Sequence, residues 1–311
     1  MAKPRNKVRD YLLYLALRTF NAIAHLFGVQ ANYRTARVLG NILWWLDKKH
    51  QRIAIGHVRL SFPDWPEEKV QAVARKSMHH LFYLGIDLLF TPGLITPRTW
   101  RRHIHLKNMT ETLRLAIRQD RGMIMLTGHY GGFEVVGYMM ATLGFPTVSV
   151  FRPLDNPYIN DYVMGVRERT GQSLLYKRGA SQSMSDILEA KGTLAFIADQ
   201  DAGRKGLFVD FFGRPASTYK TIGLMAVAHR VPIVIGYGRR LNDRYEFEAG
   251  VQRVIHPEEW DGKDDEVAWV TQEFSLALEN VIRDGPEQYF WVHRRWKHRP
   301  DGTKALGDGV A

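Results

Sequence analysis

From Gly122 to Glu134 the chain carries one stretch that limits the possible folds more than any other. Met123 to Leu126 is an apolar run with the length and character of a buried parallel strand. The run breaks at Gly128, presents His129 and passes Gly131-Gly132. It then re-enters an apolar pattern at helical spacing through Val135, Val136, Met139, Met140 and Leu143. Strand, glycine turn and helix in that order begin a βα unit. Loops leaving the carboxyl ends of parallel strands are where open α/β sheets bind ligands, so His129 stands where chemistry is done. Glu134 falls in the first helical turn, on a side from which its carboxylate can reach back to the imidazole. A base with an orienting acid is the minimum needed to take a proton from a hydroxyl near neutral pH. Taken alone, the two residues are equally a loop histidine and a carboxylate complementing the helix dipole.

The same alternation continues downstream. Thr147 to Phe151 reads as a strand ending in Arg152-Pro153. A helix over 159–169 carries Arg167, and Ser173 to Tyr176 is a further strand. A helix over 183–190 precedes the strand Thr193 to Ala198, which runs into Asp199-Gln200-Asp201. Strands are expected again over 232–237 and 244–250, with an amphipathic helix over 267–283. The glycine-flanked aromatic segment 206–213 leads to Ser217-Thr218, which suits an N-cap for the helix 222–229. Strand after helix after strand at this spacing predicts an α/β fold built from parallel βαβ units. His129 with Glu134, Arg152, and Asp199 with Asp201 then fall at carboxyl ends of strands and share one edge of the sheet.

The first hundred residues differ in character. Tyr11 to Val29 is rich in Leu, Ala and Phe but is broken by Arg18, Asn21 and His25. It reads as an amphipathic anchor or a marginal span, with a core-packing helix as the alternative. Leu39 to Leu46, with Trp44 and Trp45, continues the interface-seeking composition, so that this region is expected to form a docking surface for a bilayer. A helix over 52–60 stops at Phe62-Pro63-Asp64, and Pro66-Glu67-Glu68 starts another that runs to about Phe90. Pro92-Gly93 and Pro97 mark a break. The chain is therefore expected to divide into a helical docking region over 1–95, a catalytic domain over 96–300 and a mobile tail over 301–311.

A net charge of +11 over 311 residues favours an anionic partner: nucleic acid, an anionic lipid surface, an acidic carrier or a phosphorylated substrate. No recognised nucleic-acid motif and no aromatic platform spaced for bases is present. There is no cysteine, hence no disulfide framework, thiolate nucleophile or cysteine zinc site. Nor is there a Gly-x-Ser-x-Gly elbow. The groups on the sheet edge suit direct transfer of an acyl group to a hydroxyl. His129 would take the hydroxyl proton, and Glu134 would fix the tautomer and stabilise the imidazolium. Backbone N–H groups of Gly131 and Gly132 would hold the oxyanion.

Thr127-Gly128-His129-Tyr130-Gly131-Gly132-Phe133-Glu134 resembles the His-x4-Asp/Glu box of the glycerolipid-type acyltransferases. Several flanking motifs narrow the likeness: Phe151-Arg152-Pro153 with Asn156-Pro157, then Asp199-Gln200-Asp201, and Pro286-Glu287-Gln288-Tyr289 through His293-Arg294-Arg295-Trp296-Lys297. Together they resemble the bacterial lipid A lauroyl/myristoyl transferases over nearly the whole chain. The resemblance implies a mixed, mainly parallel central sheet flanked by helices, with an N-terminal helical membrane-docking extension. It implies a peripheral or singly anchored enzyme on the cytoplasmic face of the inner membrane. The donor would be a thioester of acyl carrier protein or CoA, the acceptor a glycolipid hydroxyl, with no metal, no other cofactor and no nucleic acid. Carried over, Arg167 would bind substrate or support the site, Asp199 would orient a partner, and Arg152 and Asp201 would assist. The terminal basic run would meet anionic headgroups or the acidic carrier. Acylation of another glycolipid or a lysophospholipid, hydrolysis with water as acceptor, and a basic membrane-binding protein without catalysis are the alternatives.

Overall fold

The computed structural model describes residues 6–151, 153–168, 173–176, 180–300 and 302. Four helices come first: α1 (Lys7–Ala24), α2 (Val29–Leu46), α3 (Lys48–Ser61) and α4 (Glu67–Leu94). The chain then alternates through β1 (Ile104–Lys107), α5 (Thr110–Arg118), β2 (Met123–Thr127), α6 (Phe133–Thr142), β3 (Thr147–Phe151), α7 (Pro157–Glu168), β4 (Ser173–Tyr176), α8 (Ser181–Glu189) and β5 (Thr193–Ile197). A hairpin of β6 (Leu207–Asp210) and β7 (Pro215–Thr218) follows. The chain continues with α9 (Lys220–His229), β8 (Ile233–Arg240), β9 (Phe247–Ile255) and α10 (Glu266–Asp284).

Seven strands form the main sheet in the order β1-β9-β8-β2-β5-β3-β4. From β8 to β4 every pairing is parallel, and only β9 reverses against β8. The reversal has a local cause. Asn242 and Asp243 both adopt left-handed φ, and Arg244 N–H closes onto the Leu241 carbonyl at 3.1 Å. That is the primed turn whose twist suits a two-stranded hairpin. The central strands are apolar on both faces, as parallel strands covered by helices must be, with Ile124, Leu126, Leu194, Ile233, Val234 and Ile235 buried.

The mixed, mainly parallel sheet expected from the sequence is thus present. The 214–218 segment departs from expectation: it pairs with β6 as a strand, so Ser217 is not the cap of α9, and Tyr219 stands there without a side-chain cap bond. Helix α4 also runs through Pro92 to Leu94, since a proline in the last turn forfeits only one hydrogen bond.

The N-terminal helices share the core with the sheet. Ala54, Val58, Phe62 and Met78 lie in one buried cluster with Ile124, Ile233 and Trp291, while Tyr33, Tyr83 and Phe90 join Val135, Met139 and Phe247 in another. Arg240, buried at the end of β8, is paired with Asp87 of α4 and donates to the Tyr33 hydroxyl of α2 at 2.6 Å. Tyr33 in turn donates to Asp87 at 2.5 Å. Among the described residues no helix is long and apolar enough to cross a membrane. The expected 301–311 tail lies outside the described residues, Gly302 apart.

Candidate active site

β2 and β5 are neighbours in register, Thr127 opposite Ile197. Residues just past their ends therefore meet. Two hydrogen bonds result: the His129 backbone N–H donates to Asp199 Oδ2 at 2.9 Å, and His129 Nδ1 lies 2.7 Å from Oδ1. A carboxylate only accepts, so Nδ1 carries the proton and Nε2 is left as the base. Asp199 is 3% exposed. Burial opposes protonation of His129, but the charge and hydrogen bond of Asp199, with the charge of Glu134 added, outweigh it and hold the imidazole above its ordinary value. Burial likewise works against the Asp199 carboxylate, yet the imidazole's charge and hydrogen bonds keep it below the usual range.

The partner of the imidazole is thus Asp199, where the sequence reading had expected Glu134. Strand order decides this, and order cannot be read from spacing. Glu134, in the first turn of α6, instead pairs with Arg167 in the last turn of α7. It stays close enough to add to the field at His129. The expected oxyanion donors are also committed elsewhere. Gly131 N–H donates to the Gln288 carbonyl at 3.0 Å and Gly132 N–H to the Gly238 carbonyl at 2.6 Å. Gly131 has φ +53, and a Cβ there would fall 2.1 Å from the Gly238 oxygen. The glycines let the 128–132 turn lie directly on β8. Asp201 takes a hydrogen bond from His298 Nδ1 at 2.7 Å, so it fastens the segment around His298 rather than facing the imidazole. Arg152 lies outside the described residues.

Residues 2–298 match the model of the bacterial lipid A biosynthesis acyltransferases. The chain belongs to this family. A lipid A biosynthesis lauroyltransferase of Escherichia coli strain K12 is 27% identical over 282 residues, covering 87% of each chain. A palmitoleoyltransferase of the same pathway in that strain is 26% identical, over 83% of this chain and 82% of its own. A lipid A biosynthesis acyltransferase of Haemophilus influenzae is 24% identical, over 86% and 82%.

Phe133 links the imidazole to apolar space. The edge of Phe133 lies against the His129 ring, with centroids 5.4 Å apart. The same Phe133 walls a cavity of about 100 Å³ that also touches Thr127, Met125 and Met140. Met125 and Met140 continue into a second cavity of about 280 Å³, which reaches the amino ends of the strands at Met123 and Gly192. The two follow β2 from one end to the other.

Three residues that the motifs contain, without a place at the imidazole being expected for them, complete the site. The Gln200 side-chain amide sits 3.4 Å from His129 Nε2. Phe290 stacks obliquely on the ring and donates its N–H to the His129 carbonyl at 3.2 Å. His293 accepts the Asp201 N–H at 3.0 Å, and burial pushes it down to about 4, so it is neutral. The terminal run folds inward more than a solvated basic face would. Trp291, Arg295 and Trp296 are buried, and Arg295 donates to the Ser217 carbonyl and the Thr218 hydroxyl. The signal for this was its aromatic density, which marks a core strap more readily than a headgroup contact.

Proposed function

We propose that the protein transfers a fatty acyl chain from a thioester of acyl carrier protein, or of CoA, to a hydroxyl of a membrane glycolipid, in the first instance a lipid A precursor. The observation that carries this reading is a buried Asp199 that holds the His129 Nδ1 proton and leaves Nε2 as the basic nitrogen, with Phe133 packed against the imidazole and walling an apolar cavity. The acyl tail would lie along β2 with its carbonyl at Phe133. His129 Nε2 takes the proton as the acceptor oxygen attacks the thioester carbon, and Asp199 stabilises the imidazolium. The tetrahedral intermediate collapses, the carbon–sulfur bond breaks and the thiolate receives the proton from His129. The products are an ester and a free thiol. With the Gly131 and Gly132 amides committed, the Gln200 amide is the side-chain donor placed for the oxyanion. The Glu134–Arg167 pair ties α6 to α7, and the Glu134 charge biases the field toward the imidazolium.

Docking would use the outer faces of α1 and α2 and the turn between them, where Leu12, Phe20, Leu26, Phe27, Trp45 and Leu46 are exposed beside Arg9, Arg18 and Lys48. An in-plane amphipathic contact with an anionic bilayer at the cytoplasmic face suits that composition. The test is incubation of the enzyme with radiolabelled acyl carrier thioester and extracted membrane lipids, followed by mass identification of the labelled product. Labelled glycolipid from the wild type, lost in His129→Ala with the fold retained, is the expected result. Free fatty acid without acylated lipid would instead select hydrolysis.

A further inference from the structure

Away from the His129 turn, two cavities lie between α2, α4 and the β8–β9 hairpin. One of about 470 Å³ and one of about 380 Å³ meet at Arg37, Asn242 and Asp243. Their walls carry Arg34 and Arg37 from α2, Lys76 from α4 and Arg244 from the hairpin, against the acids Asp243 and Glu287. Arg37 faces Asp243 at 3.6 Å. Arg34, Lys76 and Arg244 have no ion-pair partner among the described residues. Four cations around a concave space, three of them without an ion-pair partner among the described residues, attract a compact multivalent anion, and a phosphate monoester is the common biological form.

Two further observations narrow the ligand. His79 and His80 line the same cleft, and His80 Nδ1 is shut off from solvent without a hydrogen-bond partner. Burial, then the surrounding cations, holds both imidazoles below their ordinary value. Second, the cleft adjoins both the catalytic turn and the exposed apolar face. Gln288 lines it, and the Gln288 carbonyl accepts from Gly131, two residues from His129. On α2, Arg34 continues a stripe at helical spacing with Val38, Ile42 and Trp45, all exposed. A lipid whose tails meet that stripe presents its headgroup to Arg34.

We propose that this cleft binds a phosphate monoester on the headgroup of the lipid acceptor and so fixes which hydroxyl reaches His129. The assignment of the phosphate to the acceptor rests on the acyl-transfer reading above. The test titrates the full chain, labelled at histidine for NMR, with dihexanoyl phosphatidic acid and, as the uncharged-headgroup control, dihexanoyl phosphatidylcholine. Phosphatidic acid should shift the His79 and His80 ring signals toward the protonated form, and phosphatidylcholine should not. The exposed double substitution Arg34→Ala with Lys76→Ala should weaken phosphatidic acid at least tenfold. It should raise KM for a phosphorylated glycolipid acceptor by a similar factor while KM for the acyl thioester stays in place. Unchanged phosphatidic acid binding by the double variant overturns the proposal. So does a KM effect confined to the donor, which would give the cleft to the phosphate of the carrier's pantetheine arm. The titration needs no turnover, so failure of the acyl-transfer reading would show separately, as binding without transfer.

Discussion

His129 and Asp199 work as one unit, and their pH behaviour follows from the direction of each shift. His129 is raised in the fold, so its share of the pair's stabilisation is complete below the ordinary imidazole value of 6.5 and fades as pH climbs through the raised one. Asp199 is depressed, so its share is present above its ordinary 3.8 and is lost as pH falls through the lower value. Between those limits the pair stabilises the turn. Catalysis has a different requirement, because a base must be unprotonated. Activity should therefore fall as pH drops through the raised His129 value. Asp199→Asn removes the charge that raises it. That variant should show the acid limb of its kcat/KM profile displaced to lower pH, with kcat down about 10²–10⁴-fold. An acid limb that stays in place would show that another group titrates. Gln200→Leu tests the oxyanion assignment, with an expected loss in kcat of about 10²–10³-fold and little change in KM.

At the level of elements, β2 does two jobs: it delivers His129 at its carboxyl end and lines two apolar cavities along its length. From Met123 to Thr127 the strand spans about 13 Å at about 3.3 Å per residue. An extended alkyl chain advances about 1.2 Å per bond, as a polypeptide does, so a tail laid along β2 as proposed would cover about ten to twelve carbons. Met125 touches both cavities. Met125→Trp should shift the preferred donor to one shorter by several carbons, read from kcat/KM across a series of acyl thioesters, and an unaltered preference would place the tail elsewhere. The strand, the turn and the histidine were all legible in the apolar run, the glycines and the break at Gly128. What spacing could not supply was which strand lies beside β2. Since β5 is that neighbour, the orienting carboxylate comes from Asp199, 70 residues away, and not from the nearby Glu134. The oxyanion expectation failed for a related reason. A glycine pair signals close backbone approach, but only the fold reveals that β8 and the 286–288 turn are what approach, and that they consume the amides.

For the whole molecule, the buried Arg240 connects the helical region to the sheet. It reaches from β8 to Asp87 on α4 and Tyr33 on α2, beneath the rings of Tyr83 and Phe247. Stripping one partner from a buried pair leaves an uncompensated charge and costs about 3–5 kcal/mol. Asp87→Ala should lower the unfolding free energy by that amount, and denaturant unfolding of the wild type should be one transition by both helix and tryptophan signals. Separate transitions would mean that residues 1–95 fold on their own. Integration of this kind bears on membrane binding, because the exposed stripes of α1 and α2 then sit at a fixed height relative to His129. Docking that orients the active site should rely on apolar insertion supported by charge, and the two contributions respond differently to salt. Trp45→Glu with Leu46→Glu adds charge to two strongly exposed positions outside the core, at 64% and 77%. Sedimentation with vesicles containing anionic lipid should fall at least tenfold in that variant at any ionic strength. In the wild type, raising salt should weaken binding without abolishing it. If the variant still sediments as the wild type does, the first two helices do not carry the bilayer contact, and the net charge alone would have to account for it.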